Sequence, residues 1–324
     1  MRQKYPSKKI LQHLNQKYGI KNILKISRFE SGIENSNYLV KTKNQNYALK
    51  IFEETPSKSI KLELSYMEYC KNSSFPIQKI YKSKNGSQIT HILEKPSVLL
   101  EYIHGKGLRH IKVTPNIIRN IARRIPEFDT KSSSFFYPNY SKRLHYWGIL
   151  QFNINRKFLS LIKKDRKTVA QCFADFESIK PLFKKCRKGF IHNDFNIENI
   201  LFKKEKITGV IDFGDSANTL IINDLVVALA QICFAKPNSM RNAGILYRKY
   251  IKNYPLLKTE KNIIYELLKI RFATCILRPN YMEKKYSRFS PAFNYYINLG
   301  YRGLTLLNKL GKKEFNKSLG ITND

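Results

Sequence analysis

At 324 residues the chain is too long for one small domain and fits one large domain or two modest ones. Hydrophobic residues at 42% and aromatics at 13% supply a real core, yet no apolar run nears the ~18 residues of a membrane span. The formal charge of +35 would suit a nucleic-acid or anionic-membrane partner, but the lysines occur in nearly every segment and form no block, so a solvated basic surface is the simpler reading. From Val226 onward only Glu260, Glu266, Glu283, Glu314 and Asp324 are acidic, too few to build a pocket for a polycation. Residues 1–5 lack the apolar segment of a signal peptide. The cysteines (Cys70, Cys172, Cys186, Cys233, Cys275) are odd in number and dispersed, as expected of reduced core thiols in a cytoplasmic protein.

The chain opens on a helical pattern over 7–18, with Ser7 placed to cap it and Gly19 to end it. A strand over 23–29 follows. Ser31-Gly32-Ile33-Glu34-Asn35-Ser36-Asn37 is then a polar loop before a hairpin of 38–42 and 47–52. Such a hairpin can fold over a triphosphate, with Gly32 and the amides of Glu34, Asn35, Ser36 and Asn37 facing the phosphates. With one glycine, an ordinary turn is the plainer account of the loop alone. Lys50 lies in the returning strand, in Ala48-Leu49-Lys50-Ile51-Phe52, and Glu63 lies on a helix expected over 57–70. A strand lysine paired with a helix glutamate holds the α- and β-phosphates in kinases. Glu68 is the alternative partner. Strands over 88–93 and 97–103 flank a turn at Lys95-Pro96. The second runs through Glu101 and Ile103 into His104-Gly105-Lys106-Gly107, a hinge whose backbone can read a purine edge and the best domain boundary in the chain. From Thr114 the periodicity is helical: a helix through Ile117, Ile118, Ile121 and Ala122, then 146–161, 168–186, 220–234, 240–250, 260–277 and 290–310, with a polar, frayed tail from Gly311.

Between these helices stands the most informative stretch. It reads Phe190-Ile191-His192-Asn193-Asp194-Phe195-Asn196-Ile197-Glu198-Asn199-Ile200-Leu201-Phe202 and, after a Lys-rich turn, Gly209-Val210-Ile211-Asp212-Phe213-Gly214-Asp215. Polar groups cluster at the ends of apolar strands, where they can converge on a ligand. Asp and Asn favour turns on their own account, but an ordered His-x-Asp-x4-Asn followed by Asp-Phe-Gly points to phosphoryl transfer. That chemistry needs a carboxylate for the attacking hydroxyl, suited by Asp194, and hard oxygen ligands for magnesium, suited by Asn199 and Asp212.

The order of parts resembles the aminoglycoside phosphotransferase and choline kinase superfamily, a branch of the protein-kinase-like fold. Gly32 to Val40 looks like the N-terminal loop of bacterial homoserine kinases of this fold. Asp194-Phe195-Asn196 with Asn199-Ile200-Leu201, and Gly209 to Asp215, are similar to hydroxylysine kinases. Neither the three-glycine loop nor the Ala-Pro-Glu of protein kinases is present. The resemblance implies an α+β, two-lobed fold with an antiparallel β-sheet N-lobe (1–103, nucleotide-binding) and a mainly helical C-lobe (104–324, catalytic loop and substrate pocket). It also implies Mg2+ and ATP or GTP. The substrate would be a small molecule with a hydroxyl, best a hydroxylated amino acid carrying a carboxylate. Aminoglycoside- or choline-type transfer and a catalytically weak binding module are the alternatives, and nucleic acid the remotest.

In that frame Asp194 is the base, His192 a catalytic-loop residue that braces rather than reacts, Asn199 and Asp212 hold metal, and Asp215 supports them. Lys50 neutralises phosphates. Asp224 caps the next helix and ties down the loop. Tyr146, Trp147 and Arg271 are candidates for the substrate pocket. The family's usual glycine between His192 and Asp194 is here Asn193, a residue that tolerates left-handed backbone.

Overall fold

A computed structural model describes residues 5–29, 34–138, 146–286 and 291–321. Alternation builds its main sheet. Strands β1 (Ile23–Arg28), β2 (Ser36–Thr42), β3 (Asn46–Ile51), β4 (Ile80–Tyr81), β5 (Thr90–Ile92) and β6 (Lys95–Glu101) pair antiparallel in the order β1-β2-β3-β6-β4, with β5 also on β6. Tyr47, Leu49 and Ile51 of β3 join Tyr38, Val40 and Leu99 in a small core that also takes in Ile10 and Leu14. These last two come from helix α1 (Ser7–His13) and the π-turn after it. Successive side chains alternate faces, so Lys50 points to the opposite face, toward helix α2 (Ser57–Cys70). Buried Ile60, Leu64 and Met67 give α2 its apolar stripe, and Glu63 falls inside it.

Two details differ from the sequence reading. Ser7 is the first helical residue and makes no cap; Pro6 holds the N-cap position with no side-chain bond. The β5–β6 turn lies at Leu93-Glu94, both with positive φ (46° and 65°), and Lys95-Pro96 belongs to β6. A two-residue turn of this hand normally shows Gly or Asn. Here strand pairing imposes it on residues that do not advertise it.

The remainder is mainly helical. Thr114 Oγ1 accepts the Ile117 N–H (3.3 Å) and caps α3 (Pro115–Ser132). A 3-10 segment (Ile149–Leu161), α4 (Arg166–Ile179), α5 (Ile222–Ala228), α6 (Ser239–Asn253), α7 (Lys258–Tyr286) and α8 (Pro291–Leu319) follow. The expected helix over 168–186 therefore stops at Ile179, and that over 260–277 runs on through Pro279 to Tyr286. The tail is no frayed end. α8 kinks at Gly311 (φ 68°) and continues to Leu319, burying Phe315 and Leu319. Gly300 and Gly303 let α8 lie close on α7: a Cβ at Gly303 would stand 2.5 Å from the Phe272 ring, and one at Gly300 2.6 Å from the Phe272 carbonyl.

One apolar cluster runs from α2 to the last turn of α8. Tyr66 of α2 carries it between the regions, touching the rings of Phe128, Phe190 and Phe213 at 5.1–6.3 Å. All five cysteines are buried and free. No helix among the described residues is long and apolar enough to cross a membrane.

Two small sheets carry the polar loops. β8 (Lys188–Ile191) pairs with β11 (Ala217–Leu220), a strand the sequence reading missed, with Ala217 across from Ile191. β9 (Ile200–Lys203) pairs with β10 (Lys206–Val210) and with β7 (Lys106–Gly107). The loop 192–199 thereby lies against the loop 211–216. Helix α7 is clamped beside them. Glu260, fully buried in its first turn, accepts from Arg187 N (3.0 Å), Nε (3.1 Å) and Nη2 (2.5 Å) just before β8. About three turns on, the same helix face presents Arg271 to the loop at the other end of β8.

Candidate active site

Lys50 and Glu63 meet as their strand and helix faces require. Lys50 Nζ is 2.7 Å from Glu63 Oε1 and 3.3 Å from Asp212 Oδ1. Burial works against the ammonium, but Glu63 and then Asp212 outweigh it and hold Lys50 above its ordinary pKa. Glu68 is half-exposed and pairs with Lys71 instead. Asn37 lies directly across β2–β3 from Lys50. Gly32 lies outside the described residues. Ser36 is buried, its hydroxyl bonded to Glu53 (2.5 Å) and reached by Arg28 Nη2 (3.3 Å), so the hydroxyl braces the loop. Glu101 has its N–H on Lys79 O (2.8 Å), and its carbonyl accepts from Gln78 Nε2 (2.7 Å). Both main-chain groups are thus held within the protein. Ile103 lies beyond that strand, its side chain against Gly209.

The loop after β8 folds around Asp194. Asn196 Nδ2 and Asn199 Nδ2 both donate to Asp194 Oδ2 at 2.8 Å. Asn196 is held in turn by an Asx turn, its Oδ1 accepting from Glu198 N (2.7 Å) and Asn199 N (3.1 Å). Two donors fill Oδ2. Oδ1 faces Arg271 Nη2 at 3.3 Å and is the oxygen open to a hydroxyl proton. Burial, then repulsion from Asp215, lifts the Asp194 carboxyl to about 7; Arg271 opposes the rise.

His192 is wholly buried, and both ring nitrogens serve the backbone. Nε2 donates to Ile211 O (3.2 Å) and Nδ1 accepts from Asp194 N (3.3 Å). Burial lowers its pKa to about 4, so the ring is neutral. Both ring nitrogens are thus engaged within the loops, the geometry of a residue that braces the catalytic loop. Asn193 adopts φ 66°. Its Nδ2 donates to Asp215 O (2.9 Å) and its Oδ1 accepts from Asn223 Nδ2 (2.6 Å), so this residue staples the two loops, a contact that glycine lacks.

Asp224 does not cap α5. It sits in the first turn, and its two oxygens accept from His192 N (3.1 Å) and Asn193 N (2.6 Å). Behind it lies Asp129 of α3, fully buried, with Tyr250 OH donating to its Oδ2 (3.2 Å). Asp129 Oδ1 has no donor among the described residues. Two buried carboxylates in contact cannot both ionise. Burial, then Asp224, raises Asp129 well above the carboxylate range, so the shared proton resides on Asp129; burial lifts Asp224 too, to about 7, against the bonds from Asp129 and the loop N–H groups that favour its charged form. Because the folded pKa is raised, folding takes up a proton, and this stability is lost as pH rises through the folded pKa. At most the slope is about 1.4 kcal/mol per pH unit. Asp129→Asn, which carries its own donor, is expected to flatten the fall in urea-unfolding stability that begins above the ordinary carboxyl pKa and runs to the raised folded one, while the wild type keeps it. Parallel curves would remove the shared proton.

For a divalent cation the structure provides two oxygens. Asn199 turns Nδ2 onto Asp194, which aims its Oδ1 away. Neither that oxygen nor Asp212 Oδ2 takes a hydrogen bond among the described residues, and the Asp212 side chain is 55% exposed. An amide and a carboxylate oxygen suit a hard cation. No group of three or more His, Cys, Asp or Glu side chains among the described residues could hold a metal.

Residues 25–255 match the phosphotransferase enzyme family. The chain belongs to that family. Its relatives phosphorylate hydroxyl groups, and this phosphotransferase is an enzyme of that kind. Hydroxylysine kinase of Xenopus laevis is 22% identical, covering 95% of this chain and 91% of its own length. Homoserine kinase of Zymomonas mobilis is also 22% identical, covering 76% and 78%. An amicoumacin kinase solved in complex with AMP-PNP and Ca2+ superimposes with a TM-score of 0.71 at 14% identity, covering 93% of this chain and 94% of that one. The shared fold is the two-lobed kinase-like one, with the antiparallel sheet first and the helical region after it.

Sequence reasoning assigned no role to Asn196, Asn223 or Asp129. Asn196 carried a signal, since an Asn two residues after the base can close an Asx turn. Asp129 carried none, because its partner lies far along the chain.

Proposed function

We propose that this phosphotransferase moves the γ-phosphoryl group of ATP or GTP to the side-chain hydroxyl of a free amino acid of the homoserine or hydroxylysine kind. The observation that carries the reading is Asp194: one oxygen saturated by two asparagine amides, the other open, with Lys50, Asp212 and the free Asn199 oxygen grouped around the same loops. Residues 1–103 bind nucleotide and 104–324 the acceptor. Asp194 Oδ1 receives the hydroxyl proton while Asn196 and Asn199 keep the carboxylate from turning. Lys50, fixed by Glu63, lies against the α- and β-phosphates. The backbone of Glu34 to Asn37 covers them, and Ile103 presents the hinge edge to the base. Asn199 Oδ1 and Asp212 hold Mg2+, with Asp215 beside them; when bound, it neutralises the phosphate oxygens. The five free buried thiols suit a reducing cytoplasm.

The test is a mass-shift assay with Mg-ATP and Mg-GTP against homoserine, hydroxylysine, choline and an aminoglycoside. Phosphorylation of the amino acids is expected. Preference for choline or the aminoglycoside overturns the substrate class, and no transfer to any acceptor overturns the kinase reading.

A further inference from the structure

Arg271 is buried, 3% exposed, on the face of α7 turned to the catalytic loop. Its Nη2 reaches Asp194 Oδ1, while Nε and Nη1 are shut from solvent and have no hydrogen-bond partner among the described residues. A buried guanidinium with unmade donors costs far more than a satisfied one, so the site holds it for an acceptor that arrives from outside. Trp147 and Tyr296, both partly exposed and 6.0 Å apart, stand at the same place, with the Arg271 guanidinium 5.3 Å from the Trp147 ring. Nearby aromatics are taken in the same way. Arg278, two turns along α7, lies 4.6 Å from the Tyr146 ring, and Arg109 lies 4.1 Å from that of Tyr295. Rings that could have caged a cationic ligand already carry the protein's own arginines.

We propose that Arg271 is the specificity residue for the acceptor: its free Nη1, together with the second hydrogen of Nη2, receives the substrate's carboxylate as a planar fork while the other Nη2 hydrogen stays on Asp194, so one guanidinium sets the distance between the carboxylate and the reacting hydroxyl. This rests on the kinase reading above. A fork suits a carboxylate in a way that a lysine ammonium does not, and its attachment to the base makes recognition and hydroxyl alignment a single event. Amino alcohols that lack the carboxylate would leave that fork empty and be rejected on that account.

The experiment compares kcat/KM for homoserine with that for aminopropanol, which is homoserine without its carboxylate, and for hydroxylysine with that for its decarboxylated amine. The wild type is expected to favour the amino acid of the better pair. In Arg271→Met that preference should fall by about 10–100-fold, mostly through KM for the amino acid. Arg271→Lys keeps a cation beside Asp194 and serves if the methionine variant does not fold; there too the preference should drop. A preference unchanged within about twofold, or equal losses on both members of a pair, overturns the proposal and makes Arg271 a support of Asp194 or of the phosphate. A wild type that favours the decarboxylated compounds also overturns it and leaves the kinase reading intact. Absence of transfer to every compound overturns both.

Discussion

Asp194→Asn is expected to lower kcat by about 10²–10⁴-fold with little change in nucleotide affinity, the range for loss of a positioned general base. The geometry sets the direction. Asn196 and Asn199 both present amide donors to Oδ2, and Arg271 presents another to Oδ1. An asparagine amide placed there must turn its own donor toward either the two asparagines or the arginine. Whichever way it turns, no anionic oxygen remains for the hydroxyl proton. The carboxylate is also held against its surroundings, since burial and the charges of Asp215 and Asp212 disfavour ionisation. Its replacement therefore removes a repulsion as well as a contact, and the variant should still unfold cooperatively and still show a thermal shift with Mg-nucleotide. Single-turnover kinetics with saturating nucleotide measures the chemical step. A variant within about tenfold of wild type would take Asp194 out of the proton-accepting role.

What the sequence disclosed and what it hid divide along one physical line. That Asp194, Asn199 and Asp212 come together was legible because their placement is set by short spacings inside two strand-flanked loops. Lys50 and Glu63 were legible because a strand and the helix after it have fixed periods, so each residue's face follows from its position. The shared carboxyl pair was not. Asp129 sits where a helix period puts a core residue, and only the arrival of Asp224 and Tyr250 from distant parts of the chain makes an acid tolerable there. Arg271 was a candidate without a reason until Glu260 on Arg187 fixed the rotation of α7. Helix ends failed for a related cause. The expected ends at 277 and before Gly311 are overrun, because burial of the surrounding turns carries the helices past Pro279 and Gly311. A hairpin turn at Leu93-Glu94 escaped because tertiary pairing, and no turn residue, selects it.

Lys50 shows how stability and function can be separated at one position. Lys50→Met deprives Glu63, 6% exposed in the apolar stripe of α2, of an ammonium 2.7 Å away. Breaking a buried pair from one side costs about 3–5 kcal/mol, because the remaining charge stays in a poor solvent. The variant should therefore lose both stability in urea and transfer activity. Adding Glu63→Leu removes that charge and places an apolar residue at a position whose neighbours are Ile60, Leu64 and Met67. The double variant should recover most of the stability, as buried pairs replaced whole by apolar groups generally do. With Lys50 on the nucleotide as proposed, it should recover none of the activity, since the α- and β-phosphates then lose their cation and Asp212 its neighbour. The two readouts must part company if Lys50 acts on the nucleotide. Were activity to return with stability, the pair would be a strut between β3 and α2, and the phosphate contact would have to come from another cation.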